Sequence, residues 1–135
     1  MIILEGTDAV GKTSVRNNLK NYDILDRDKE ICKLFDFNIS LTDRAKKLNN
    51  YLEYNKNYVI FLINNDKEEL ERRINLRKVI DEFDRNAYIY NLLYLSTYLY
   101  MEYNNLLNGK LFMIDCTGLS IEEETKKVRK LIDAL

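Results

Sequence analysis

The stretch that decides the fold is Met1-Ile2-Ile3-Leu4-Glu5-Gly6-Thr7-Asp8-Ala9-Val10-Gly11-Lys12-Thr13-Ser14-Val15. Ile2-Ile3-Leu4 is apolar chain enough to begin a buried strand. Gly6 to Thr13 then satisfies the pattern G-x-x-x-x-G-K-T at every position. Each part of that pattern has a physical purpose. The glycines let the loop curl so that successive backbone N–H groups converge on phosphate oxygens. Lys12 brings a mobile positive charge to the β/γ end, and Thr13 offers a hydroxyl to Mg²⁺. A loop of this kind needs a strand before it and a helix after it. Val15, Leu19 and Tyr22 recur at i, i+4 and i+7 and predict that helix, whose positive dipole end would face the same anion. Gly6, Thr7, Asp8, Ala9, Val10, Gly11, Lys12, Thr13 and Ser14 are therefore expected to bind a nucleoside triphosphate with Mg²⁺.

Working outward, 135 residues suit one domain, 1–135, with a single P-loop core. Apolar residues make up 46% and charged residues 32%, a globular balance. No apolar run nears the roughly 18 residues of a membrane span. The N-terminus runs straight into the first strand and leaves no place for a signal peptide, so a cytoplasmic chain is expected. A net charge of −1 argues against a broad basic surface for nucleic acid. Cys32 and Cys116 lack metal-site spacing and are expected to stay reduced. Histidine is absent, which excludes His-based triads and leaves carboxylates, lysines and arginines for any chemistry.

Further along, Tyr22 to Asp26 reads as a short strand ending in Asp26-Arg27-Asp28. Lys29 to Phe37 reads as a short helix and a loop. Ser40-Leu41-Thr42-Asp43 caps a helix to about Tyr54, with Leu41, Ala45, Leu48 and Leu52 on one stripe. Tyr58 to Ile63 is continuously apolar, as a parallel strand covered on both faces should be. Asp66 caps a helix to about Arg77, followed by a polar connection over 78–84. A long helix is then predicted from about Asp84 to Leu107, stopped by Asn108-Gly109. Leu111 to Asp115 is the last strand, and Ser120-Ile121-Glu122-Glu123 is a capping box for a terminal helix. Strands alternating with helices predict an α/β fold on a parallel sheet.

These residues resemble the thymidylate kinase family of P-loop nucleotide kinases. Leu4-Glu5-Gly6-Thr7-Asp8 with Gly-Lys-Thr looks like its phosphate loop, and Asp26-Arg27 like its Asp-Arg motif. Leu62-Ile63 and Glu69 to Arg77 look like its fourth strand and the arginine-bearing helix before the lid, and Asp81-Glu82-Phe83-Asp84 like its lid segment, with Glu82 where the lid would carry Arg. Asp115-Cys116-Thr117 and Ser120-Ile121-Glu122 look like its closing strand, adenine loop and last helix. The resemblance covers most of the chain, but only Asn21-Tyr22 stands where the family has a further strand, helices and an acceptor loop. Base-binding residues after Asp26-Arg27 are missing too. With crossover handedness, the resemblance implies a three-layer sandwich of about four strands in the order 2-1-3-4. It also implies phosphoryl transfer from ATP·Mg²⁺ to a deoxynucleoside monophosphate, dTMP first. A nucleoside or polynucleotide 5′-kinase is the alternative enzyme, and a nucleotide-binding regulator the alternative without catalysis.

Individual residues follow from this frame. Asp26 would end a strand beside the loop, where open α/β sheets bind ligands, and would hold Mg²⁺ through water while Thr13 holds it directly. A plain turn aspartate is the other reading. Arg27 is expected to clamp a phosphate, or else to pair with Asp26 or Asp28. Leu70, Arg73, Ile74 and Arg77 share one stripe, so Arg73 and Arg77 are expected to meet phosphates and Arg72 to be solvated; ordinary solvated pairs at i, i+4, Glu68 with Arg72 and Glu69 with Arg73, are the alternative for all three. Together with Lys12, Asp26, Arg27, Arg73 and Arg77 form the expected catalytic set. Asp8 is electrostatically unwelcome in a phosphate cradle, so it should face away and have its own partner. The resemblance assigns it to an acceptor's 3′-hydroxyl, opposite Arg27 on the 5′-phosphate; pairing with loop N–H groups or an arginine is the alternative. Tyr90, Tyr94 and Tyr98 stripe the long helix, while Leu92, Leu95, Leu99 and Leu106 occupy another face. Two apolar faces on one helix predict a subunit interface along the tyrosines and a homodimer, with a base-stacking site as the alternative.

Overall fold

The computed structural model describes residues 1–77 and 80–135. Strands β1 (Ile2–Glu5), β2 (Ile24–Asp26), β3 (Tyr58–Ile63) and β4 (Leu111–Asp115) form one sheet, parallel throughout, in the order β2-β1-β3-β4. The expected fold class and strand order are both observed. Helices α1 (Lys12–Asn18), α2 (Lys29–Cys32), α3 (Leu41–Tyr54), α4 (Lys67–Asn75), α5 (Glu82–Arg85), α6 (Ala87–Tyr103) and α7 (Ile121–Asp133) cover it.

Strand alternation splits the core in two. Val59, Phe61 and Ile63 point into a cluster with Leu48, Leu52, Tyr94 and Met101 from α3 and α6. Ile60 and Leu62 point into the opposite cluster with Val15 and Val128 from α1 and α7. This is why β3 is apolar at every position: neither of its faces meets water. The stripe on α3 is buried at Ala45, Leu48 and Leu52, with Leu41 at the exposed end. Ser40, Asp66 and Ser120 cap their helices as their sequences predict, Ser120 with the full reciprocal box.

Three helix boundaries differ from expectation. α1 stops at Asn18, because Leu19 leaves helical geometry and its N–H tightens onto the Arg16 carbonyl. Leu19 is buried all the same, and Tyr22, beyond the helix, donates its hydroxyl to Asp133. The expected long helix is two helices. Asn86, at φ −105° and ψ 17°, breaks the path, and Asp81 and Asp84 make a capping box for α5 within what reads as a polar connection. Residues 78 and 79 of that connection lie outside the described residues. α6 ends at Tyr103, with Asn105 in the left-handed region and Leu106 N–H reaching back to the Met101 carbonyl. That closure is a Schellman motif with Asn in the usual Gly role. Asn108-Gly109, expected as the stop, instead turns the chain into β4 with both residues at positive φ.

The tyrosine stripe is also turned around. Tyr94 is buried in the core, stacked on Phe35 with ring centroids 3.7 Å apart. The exposed row of α6 carries Ile89, Leu92, Leu99 and Tyr103. α6 buries Asn91 and Thr97 among its core residues, so a pattern read from hydrophobicity alone selects the wrong face.

Candidate phosphate-loop cleft

The phosphate loop leaves β1 at the carboxyl ends of the strands and runs into α1, the place where open α/β sheets bind ligands. Its curl needs both glycines. Gly6 is at φ 154° and a Cβ there would lie 2.5 Å from the Leu62 carbonyl oxygen; Gly11 is at φ 106°. Ala9 also takes positive φ, at 67°. Beside the loop lies a cleft of about 770 Å³. Asp8, Ala9, Gly11, Lys12, Thr13 and Ser14 line it from the loop and α1, and Asp26 and Arg27 from the end of β2. Arg72, Arg73 and Arg77 form another wall from α4 and its end, facing Leu119, Ser120 and Ile121 at the start of α7. Gly6, Thr7 and Val10 contribute to the loop from behind. Val10 is wholly buried in the core, and the Thr7 hydroxyl donates to the Ala87 carbonyl at 2.6 Å.

Thr13 Oγ1 donates to Asp26 Oδ2 at 2.8 Å, and Arg16 holds the other carboxylate oxygen at 3.0 Å. The two residues expected to share Mg²⁺ are thus adjacent, and an oxygen-only donor pair suits a hard cation. Lys12 is curled onto its own loop, donating to the carbonyls of Gly6 (2.7 Å) and Thr7 (2.8 Å). Burial, reinforced by Arg27, pushes its ammonium down to about 8, against the pull of Asp8 and Glu5. Glu5, unremarked in the sequence, lies buried beneath, accepting from Asp28 N–H at 2.6 Å and Tyr94 Oη at 3.1 Å. Burial pushes its carboxyl up to about 7 despite those bonds.

The arginines lining the cleft are all engaged. Arg72 and Arg73 both hold Glu69, rather than one glutamate each at i, i+4 spacing, so Arg72 is exposed yet paired. Those two hydrogen bonds bring the Glu69 carboxyl down to about 2. Arg73 also donates from Nη1 to the Ala9 carbonyl at 3.0 Å, which ties α4 to the loop. Arg77 pairs with Asp84, a carboxylate buried on α5.

Asp8 and Arg27 form an ion pair 2.8 Å long. Burial works to raise the Asp8 carboxyl, but the Arg27 hydrogen bond and the Lys12 charge outweigh it and hold it below the usual range. The expected private partner of Asp8 is therefore Arg27, and the two do not stand at opposite ends of a sugar-sized gap. Arg27 adopts φ 84°, left-handed backbone that aims its side chain back across the loop. The pair is also a partition. On its far side lies a second pocket of about 90 Å³, walled by Phe35, Phe83, Tyr90 and Tyr94 with Cys32. Phe37 stacks on Tyr90 at 4.6 Å and Phe83 tilts onto it at 5.6 Å. Arg44 fixes this wall, since its buried guanidinium caps the carbonyls of Leu34, Asp36 and Ile39. Asp8, Asp81 and Asp84 also bring carboxylate oxygens within 4.8 Å of one another, with Asp8 and Asp84 each already paired to an arginine.

No protein-family model matches the sequence, and no curated protein matches it. No helix among the described residues is long and apolar enough to cross a membrane.

Of the residues singled out by sequence, the cleft gathers Asp8, Ala9, Gly11 through Ser14, Asp26, Arg27, Arg73 and Arg77. Glu5, Arg16 and Glu124 carry no role by sequence, Glu69 reads only as the start of the arginine-bearing helix and a surface partner of Arg73, and Tyr94 falls on an interface stripe rather than in the core. Glu69 and Arg16 look like ordinary helix-surface charges, and nothing in the pattern around Glu5 or Glu124 announces burial.

Proposed function

We propose that this chain is an ATP- and Mg²⁺-dependent phosphotransferase whose acceptor is a deoxynucleoside monophosphate, dTMP in the first instance. The observation that carries the reading is the partition at Asp8–Arg27. On one side is a polar cleft with a phosphate loop, and on the other a small aromatic pocket; both are lined by the same ion pair. A donor and an acceptor bound on the two sides would meet at a guanidinium, the planar fork that suits a phosphate. Within the polar cleft, the backbone N–H groups of the loop and the dipole of α1 would face the triphosphate, and Lys12 would exchange two carbonyl oxygens for phosphate oxygens. Thr13 and Asp26 would hold Mg²⁺, which when bound neutralises charge on the β and γ oxygens. The wall Leu119 to Ile121 would take the adenine. An aromatic pocket of about 90 Å³ is far below the roughly 300 Å³ of an ordinary ligand site, so an acceptor base must part Phe83 from Tyr90 to enter. Such a reaction belongs in a cytoplasm, where its donor is abundant.

One observation favours the second reading, a nucleotide-binding regulator. Arg27, Arg72, Arg73 and Arg77 each already have a carboxylate partner. Turnover separates the two. ATP consumption is measured with dNMPs, nucleosides and 5′-hydroxyl DNA in parallel. Product from dTMP above the other acceptors supports the kinase; product only from nucleosides or DNA ends reassigns the acceptor; tight ATP binding with no product leaves the regulator.

A further inference from the structure

Glu124 on α7 is wholly buried, and neither of its carboxyl oxygens has a hydrogen-bond partner among the described residues. Burying a carboxylate so incompletely partnered is costly, and burial pushes the group up to about 7 against the opposing pull of Arg73. Arg73 Nη1 lies 3.7 Å from Oε1, an ion-pair contact without a hydrogen bond. The other oxygen presses on the phosphate loop, where a Cβ at Gly11 would come within 2.6 Å of it. Among the described residues, two further titratable groups face this arrangement: Cys116, just past β4, and Glu69 on α4, which shares Arg73. Lys12 turns its ammonium instead to the carbonyls of Gly6 and Thr7.

We propose that Glu124 is the counter-charge that holds Arg73 at the rim of the phosphate loop, and that a triphosphate bound in the cleft draws off this positive charge and leaves Glu124 to take up a proton. The inference rests on the triphosphate reading of the cleft. Arg73 lines that cleft, and a triphosphate would bring several negative charges beside it. One guanidinium cannot offset both anions fully. The carboxyl is the group that yields, since it is close to half-ionised at neutral pH and shielded from water. The proton comes from the buffer, and only an O–H bond forms. Glu124 acts through Arg73 and the loop and is a positioning residue.

The test is calorimetric titration of ATP·Mg²⁺ into the whole chain at pH 7, in two buffers of different protonation enthalpy. A carboxyl moving from about 7 to above 8 gains roughly 0.4 of a proton. Glu5 and Lys12 contribute to the total, so the readout is the difference between wild type and Glu124→Gln, which should lose most of that 0.4. Arg73→Gln, a partly exposed position that guards against a folding defect in the first variant, should lose it as well. Without Arg73, Glu124 is already protonated before the nucleotide arrives. Wild type that binds ATP with no proton uptake, or either folded variant that retains the full uptake, overturns the inference. Wild type that binds no ATP overturns the triphosphate reading itself.

Discussion

Lys12 carries two opposing effects on one side chain. Its burial disfavours the charge, while two loop carbonyls stabilise it. Removing the side chain takes away both effects, so Lys12→Ala should shift folding stability by no more than about 1 kcal/mol. Phosphoryl transfer should fall at least about 100-fold in the same variant. A melting curve and an initial-rate assay on one preparation check both halves, and a large drop in melting temperature would make Lys12 structural. Asp8 makes the opposite case. Asp8→Ala removes a carboxylate from the glycine-rich loop and releases Arg27. ATP affinity should stay equal or rise, while transfer to dTMP drops strongly. A 3′-deoxy acceptor should be penalised in wild type and hardly in the variant. If Asp8→Ala instead loses ATP affinity and keeps the preference for a 3′-hydroxyl, Asp8 serves the loop's architecture alone.

At the scale of elements, α1 and β2 meet through Thr13 and Asp26. Asp26→Asn should weaken the response of rate to Mg²⁺ concentration; an unchanged Mg²⁺ dependence would remove Asp26 from the metal site. Folding should register the buried glutamates as well. Glu5 and Glu124 titrate near 7 in the fold and near 4.5 when unfolded, so the native state binds more protons between those values. Their stabilising contribution is complete below about pH 4.5 and is lost as pH rises through 7. Because the chain has no histidine, these two should dominate the pH dependence of the melting temperature from about 5 to 7.5, and Glu124→Gln should flatten it. Much at this scale was legible in the sequence. The phosphate loop, the unbroken apolar run of β3 and the serine and aspartate caps are local signals, and they placed the sheet correctly. What escaped were pairings across distant chain. The break at Asn86 follows from a capping box hidden in a polar stretch, and the partnership of Asp8 with Arg27 requires β2 to lie beside the loop. The inward face of α6 was misread because Tyr94, Asn91 and Thr97 are buried through partners elsewhere in the chain, Glu5, Asn64 and Arg44.

For the whole molecule, the apolar row Ile89, Leu92 and Leu99 replaces the tyrosines as the surface on which a second copy would pack. The dimer expectation then has a sharper form. Light scattering at micromolar concentration should give twice the chain mass, and Leu92→Glu with Leu99→Glu should halve it without unfolding the chain. A wild-type monomer would end the idea. A last consequence comes from Asn91, whose side chain accepts the Asn64 N–H at 2.9 Å and donates to Asn65 at 3.1 Å. The excursion that carries α4 and α5 therefore leaves and rejoins the core at one knot, helped by Thr7 on the Ala87 carbonyl. With Asn64, Asn65 and Asn91 fastened together, α4 and α5 are expected to open while that knot holds. The loop-closure entropy, already lost at the knot, need not be lost again when the segment closes. Amides of α4 and α5 should then exchange with solvent together and ahead of those of β1 and β3, and Asn91→Ala should erase the distinction by loosening the knot itself.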